Sequence, residues 1–197
     1  ANHLKDSPKN SLVAKCADFV EVLRPEFVLM ENARELISGN HRHHYRAFVR
    51  RLEKLGYNVK GDVHMFTKYG LPQVRERAVV IASRIGPVKT LDDLWEGWEV
   101  SRNATTVRHA IGEFNAHPVA AGEVHPDDPM HQSPGFATEI VRRRMEAIPS
   151  NGGSWYYLAG HPEAEDLLIK SMKDRLARND LGSHPDVYGR LAWDRPA

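Results

Sequence analysis

The chain has 197 residues, 41% hydrophobic and 27% charged. That suits one soluble domain, or one domain with an appendage, and excludes wholesale disorder. Its formal net charge is +1 and Cys16 is its single cysteine, which excludes an internal disulfide and a multi-cysteine zinc site. No apolar run approaches the roughly 20 residues of a membrane span, and the polar first ten residues carry no signal-peptide pattern, so a reducing cytoplasmic setting is expected, nucleoid-associated in a bacterium.

Leu12, Val13, Cys16, Phe19, Val20 and Leu23 recur at helical spacing. They predict a helix capped by Asn10 or Ser11 and ended ahead of Pro25, with Cys16 read as core packing. Phe27-Val28-Leu29-Met30 then reads as a buried strand closed by the polar pair Glu31-Asn32. Tyr45, Phe48, Val49, Leu52 and Leu55 line one face of a second helix, with Gly56 placed to end it. Tyr57, Val59, Val63 and Met65 alternate as a half-buried strand does, and 78–82 is a further strand. Only a loop joins these last two strands, which predicts antiparallel pairing within one half of a layered α/β domain.

Beyond residue 100 the prolines crowd and the pattern weakens. Helices are predicted over Thr105–Ile111, Thr138–Ala147 and Glu163–Ala177, separated by loop-like stretches such as His117–Gly135. The near-zero net charge conceals an asymmetry. Residues 1–90 hold 16 basic and 9 acidic side chains, a net +7, whereas the remainder holds 11 and 17, a net −6. The first part is suited to face a phosphate backbone, although Arg42, Arg46, Arg50, Arg51 and Lys54 also fit an ordinary solvated helix.

Two segments stand out chemically. Glu31-Asn32 follows an apolar strand, at the end of a sheet where ligands bind in α/β folds. A carboxylate shielded there would hold a proton more readily, and a capping pair is the alternative. In Gln73-Val74-Arg75-Glu76-Arg77, an extended backbone places Gln73, Arg75 and Arg77 on one side and Glu76 on the other. Two guanidiniums and an amide suit phosphate or base carbonyl oxygens, and a salt-bridged edge strand is the alternative. His41, His43 and His44 cluster, but with no cysteine or acidic residue beside them in sequence they read as a solvated helix start rather than metal ligands. His131 lies in a Pro- and Asp-rich loop, and Trp155-Tyr156-Tyr157 is either a stacking surface or local core.

Taken in order, Phe27 to Asn32, Leu55-Gly56-Tyr57 and Tyr69-Gly70-Leu71-Pro72-Gln73-Val74-Arg75-Glu76-Arg77 resemble the DNA cytosine-5 methyltransferase family. The family's Glu-Asn-Val stands here as Glu31-Asn32-Ala33, and its Gln-x-Arg-x-Arg is intact. The segment from Asp6 through Ser7 to Leu12, then Ile148-Pro149, Gly152-Gly153 and Tyr188 to Ala197, extend the likeness along the chain. The resemblance implies an α/β fold: the later part of a Rossmann-like methyltransferase sheet at 1–90, a partial catalytic domain, and an irregular target-recognition region at 91–197. It implies methyl transfer from S-adenosylmethionine to C5 of a cytosine flipped out of double-stranded DNA, as in restriction–modification. It gives Glu31 the N3/N4 edge of that base, Arg77 its O2, Gln73 and Arg75 the surrounding pocket or phosphate, and Asn32 the ordering of the loop. The family's Pro-Cys nucleophile and Gly-rich donor-binding loop have no counterpart here, since Cys16 follows Lys15. The implied form is therefore a portion that is inactive alone and completed by a methyltransferase half, for example on a separate chain. A non-catalytic DNA-binding module or a degenerate methyltransferase subunit is the alternative.

Overall fold

The computed structural model describes residues 6, 8–181 and 188–197; Ser7, within the first motif segment, lies outside the described residues. Two compact units divide the chain, 1–101 and 102–197. No described helix is long and apolar enough to cross a membrane.

In the first unit a 3-10 turn at Pro8–Ser11 leads into helix α1 (Leu12–Leu23), strand β1 (Phe27–Ala33), the short helix α2 (Glu35–Ser38) and helix α3 (His43–Lys54). Strand β2 (Asn58–Met65), a 3-10 turn at Phe66–Tyr69, strand β3 (Glu76–Ser83) and helix α4 (Leu91–Trp95) follow. The α/β class holds. The sheet order is β1-β3-β2, and both pairings are antiparallel. The β2–β3 pairing is the one expected from their short connection.

One sheet face carries Val28, Met30, Val59, Val80 and Ala82 against α1 and α3. There Phe48 is 2% exposed and Leu52 and Ala17 are fully buried. Each large side chain so buried contributes about 1.5–3 kcal/mol. Gly56 ends α3 as expected. Its φ of +86° is open to glycine without a Cβ penalty, and its N–H and that of Tyr57 satisfy the carbonyls of Glu53 and Leu52.

Two apolar expectations are corrected. On α1, Val13, Ala17 and Val20 are buried while Leu12, Cys16, Phe19 and Leu23 are exposed, so Cys16 is not core packing. The helix has two apolar stripes, and the core covers the one holding the small Ala17, which lets α3 approach closely. Strand β1 is not fully buried either. It lies at the sheet edge with Phe27 and Leu29 exposed and Val28 and Met30 packed inward.

The second unit holds helix α5 (Val107–Ile111), strands β4 (Val124–His125) and β5 (Asp128–Gln132), and helices α6 (Glu139–Ala147), α7 (Ala164–Leu167) and α8 (Lys170–Ala177). Its core gathers Ile148, Trp155, Leu158, Leu167, Leu168 and Met172. The 117–135 stretch, read as loop, contains the β4–β5 hairpin. The helix expected over Glu163–Ala177 is interrupted, because Leu168 turns extended to enter the core at 8% exposure. The first turn of α5 is closed by the end of the chain: the N–H groups of Val107 and Arg108 donate to the carbonyls of Arg195 and Trp193.

Candidate functional site

Strand register sets the site. Glu31 lies opposite Val79, and Ala33 opposite Arg77. Glu31 and Arg77 therefore share the sheet face turned away from α1 and α3, one diagonal step apart. Arg77 Nε lies 2.8 Å from Glu31 Oε1, and Arg77 Nη1 donates to the carbonyl of Glu76 at 2.7 Å. The shielded carboxylate expected from the sequence is corrected. The Glu31 side chain is 52% exposed, and a guanidinium rather than burial governs its surroundings.

The other residues of the two motifs do not join this pair on one extended face. Asn32 is half-buried, alternates to the opposite face, and accepts the N–H of Ala33 at 2.8 Å. Gln73 and Arg75 precede β3, in a loop pinned where the N–H of Phe66 donates to the carbonyl of Arg75 at 2.9 Å. Gln73 is exposed and Arg75 half-buried. Strand β3 is central and not an edge, yet the salt-bridged part of that alternative holds, because both Glu76 and Arg77 are ion-paired. Glu76 does face the opposite way, where it meets Arg34.

A polar network on the same sheet face escaped the sequence reading. His64 lies opposite Arg77 and is 1% exposed. Its Nδ1 is 3.1 Å from Asp92 Oδ1 and 3.0 Å from the Tyr69 hydroxyl. That hydroxyl also donates to Asp92, and Lys68 Nζ reaches Asp92 Oδ2 at 2.9 Å. The Tyr69 hydroxyl, with Lys68 and His64 behind it, holds the Asp92 carboxyl at about 2, and burial together with Asp92 pushes the Tyr69 phenol up. The buried Nε2 of His64 has no hydrogen-bond partner among the described residues. The signal available in sequence was the strand alternation, which places His64 in phase with Asp62 and Lys60.

The histidine cluster also differs from expectation. His41 precedes α3 while His43 and His44 begin it, and an acidic partner comes from 35 or more residues away: both carboxylate oxygens of Asp6 lie 3.0 Å from His44 Nε2. In the second unit Trp155 is buried in the core, whereas Tyr157 is 52% exposed and stacks on Tyr156. His131 stacks on His125 with ring centroids 5.3 Å apart.

Residues 1–128 match the model of the C-5 cytosine-specific DNA methylase family. The type II methylase M.HgiDII of Herpetosiphon aurantiacus is 29% identical over 189 residues, 96% of this chain and 49% of the relative. The type II methyltransferase M.NgoFVII of Neisseria gonorrhoeae is 25% identical over 89% of this chain and 45% of its own length. The chain thus spans about half the length of these curated relatives. Among solved structures, the S. pombe Dnmt2 methyltransferase aligns with 62% of this chain and 47% of its own at 16% identity, with a TM-score of 0.32. With the family model covering well over half of its residues, the chain belongs to the C-5 cytosine-specific DNA methylases.

Proposed function

We propose that this chain is a portion of a DNA cytosine-5 methyltransferase and supplies the polar wall of its base pocket. The observation that carries this reading is the Glu31–Arg77 pair, 2.8 Å apart on an open sheet face within the family-matched residues. A cytosine flipped out of duplex DNA presents an N3/N4 edge and an O2 on one side of its ring. Glu31 would take the first, accepting from N4 and exchanging a proton with N3, and Arg77 would donate to O2, where charge develops during attack on the ring. Gln73 and Arg75 would line the approach or meet phosphate, and Asn32 would hold the strand end.

The one adjacent glycine pair offers the donor no cradle. Only two glycines adjoin, and both are packed rather than open to a ligand: a Cβ at Gly153 would meet the carbonyl oxygen of Pro149 at 2.2 Å, and one at Gly152 would meet the Ala192 Cβ at 3.2 Å. Neither S-adenosylmethionine nor the attacking cysteine is assigned to residues of this chain; both would come from a completing half. The surface is suited to such a half. Strand β1 is an edge, and α1 and β1 together expose Leu12, Phe19, Val22, Leu23, Phe27 and Leu29 at 61–80%. Soluble proteins rarely leave so many large apolar side chains bare unless something covers them. We take the occupant to be the methyltransferase half, because the relatives carry about as much chain again as this one spans.

The test is methyl transfer to duplex DNA from labelled S-adenosylmethionine. One sample is the chain alone, and the other is a chimera that adds the part of M.HgiDII this chain does not span. Transfer by the chimera and none by the chain alone is expected. Transfer by the chain alone, or a folded, DNA-binding chimera that transfers nothing, overturns the reading.

A further inference from the structure

Among the described residues, one group of side chains gathers metal-ligating atoms: Asp6, His43 and His44, with all three ligand atoms within 4.8 Å of one another. His44 Nε2 is 3.0 Å from each Asp6 oxygen, and His43 Nε2 is 3.4 Å from Oδ2. Tetrahedral zinc with bonds of 2.0–2.1 Å spaces its ligand atoms about 3.3 Å apart, so both histidines already stand near that spacing from the Asp6 carboxylate. The imidazoles of His43 and His44 lie side by side, ring centroids 4.1 Å apart, which brings both Nε2 atoms to one carboxylate. These residues come from separate elements. Asp6 stands ahead of the turn that starts α1, and the two histidines open α3.

We propose that Asp6, His43 and His44 bind a borderline transition-metal ion, Zn2+ by ligand type, with a fourth position open to water. Two neutral imidazoles and one carboxylate form a zinc-type ligand set, whereas Mg2+ and Ca2+ want a shell of oxygens. The ion would tie the start of α1 to the start of α3, the helix pair that covers the inner sheet face. Its affinity falls on acidification, because protons compete for the imidazoles. The site shares no residue with the Glu31–Arg77 pair, and its existence does not depend on methyl transfer.

Cobalt(II) serves as the visible probe, titrated into the full chain. Saturation at one ion per chain is expected, with the intense absorption of a four-coordinate ion, displacement by Zn2+ and indifference to excess Mg2+. Zn2+ should also raise the thermal midpoint. His43→Ala, His44→Ala and Asp6→Asn should each weaken binding by more than about tenfold. Asp6→Asn is the discriminating variant, because it keeps all three histidines and a side chain of the same shape. Unchanged affinity in Asp6→Asn would mean a generic histidine run and overturn the proposal, as would the absence of stoichiometric binding to the wild-type chain.

Discussion

Arg77 divides its guanidinium between two acceptors, the Glu31 carboxylate through Nε and the Glu76 carbonyl through Nη1. A half-exposed ion pair of this kind is worth about 0–1 kcal/mol, so opening it for an incoming base costs less than the few kcal/mol of unstacking that flipping demands. In the proposed pocket the pair would position both groups without resisting a ligand. The neighbouring Asp92 network is more firmly tied. Tyr69→Phe removes a hydroxyl that touches both Asp92 and His64, and should cost about 1 kcal/mol of stability at neutral pH, measured by urea unfolding. It also changes the acid limb. The folded carboxyl of Asp92 titrates at about 2, below its ordinary 3.8, so its contribution is fully present above about pH 4 and fades as pH falls toward 2. In Tyr69→Phe, which loses the largest cause of that depression, the stability lost across this window should be smaller. An equal loss in both proteins would remove Asp92 from the account of acid unfolding and leave it to other lowered carboxyls, among them Asp6, which its Asn10 and His44 partners also hold at about 2.

At the scale of elements, periodicity in the sequence identified α1, α3 and the strand pattern, because a 3.6-residue or two-residue repeat of apolar side chains has few other readings. It could not tell which stripe of α1 is covered. Leu12, Cys16, Phe19 and Leu23 repeat as regularly as Val13, Ala17 and Val20, and only the contact with α3 chooses between them. The two stripes should respond oppositely to substitution. Leu52→Ala, in the buried contact, should cost about 2–5 kcal/mol in urea unfolding of this chain. Phe19→Ser with Leu29→Ser should change stability by no more than about 0.5 kcal/mol per site, yet weaken assembly with a completing half in a co-purification assay. Equal destabilisation by both sets would show the exposed stripe to be core. The interruption at Leu168 and the β4–β5 hairpin were illegible for the same reason: both are set by packing in the second unit, which no local repeat announces.

At the scale of the molecule, the near-neutral charge resolves into a basic portion holding Glu31 and Arg77 and an acidic remainder. The motif order was legible in the chain, and so was the family. What it left open was how the motifs meet, since Glu31 and Arg77 lie 46 positions apart and only the antiparallel register of β1 on β3 brings them to 2.8 Å. The Asp6–His44 contact was hidden in the same way, across 38 positions. Placing the two charges on a flipped cytosine makes one demand above others: the carboxylate must matter to the chemistry and not only to the fold. The most direct measurement is the single-turnover rate of methyl transfer by the completed chimera with Glu31 and with Glu31→Gln, at DNA concentrations that saturate both. A fall of about a hundredfold or more, with DNA affinity and thermal midpoint retained, is the predicted result. An unchanged rate would contradict the assignment of Glu31 and Arg77 to the base pocket.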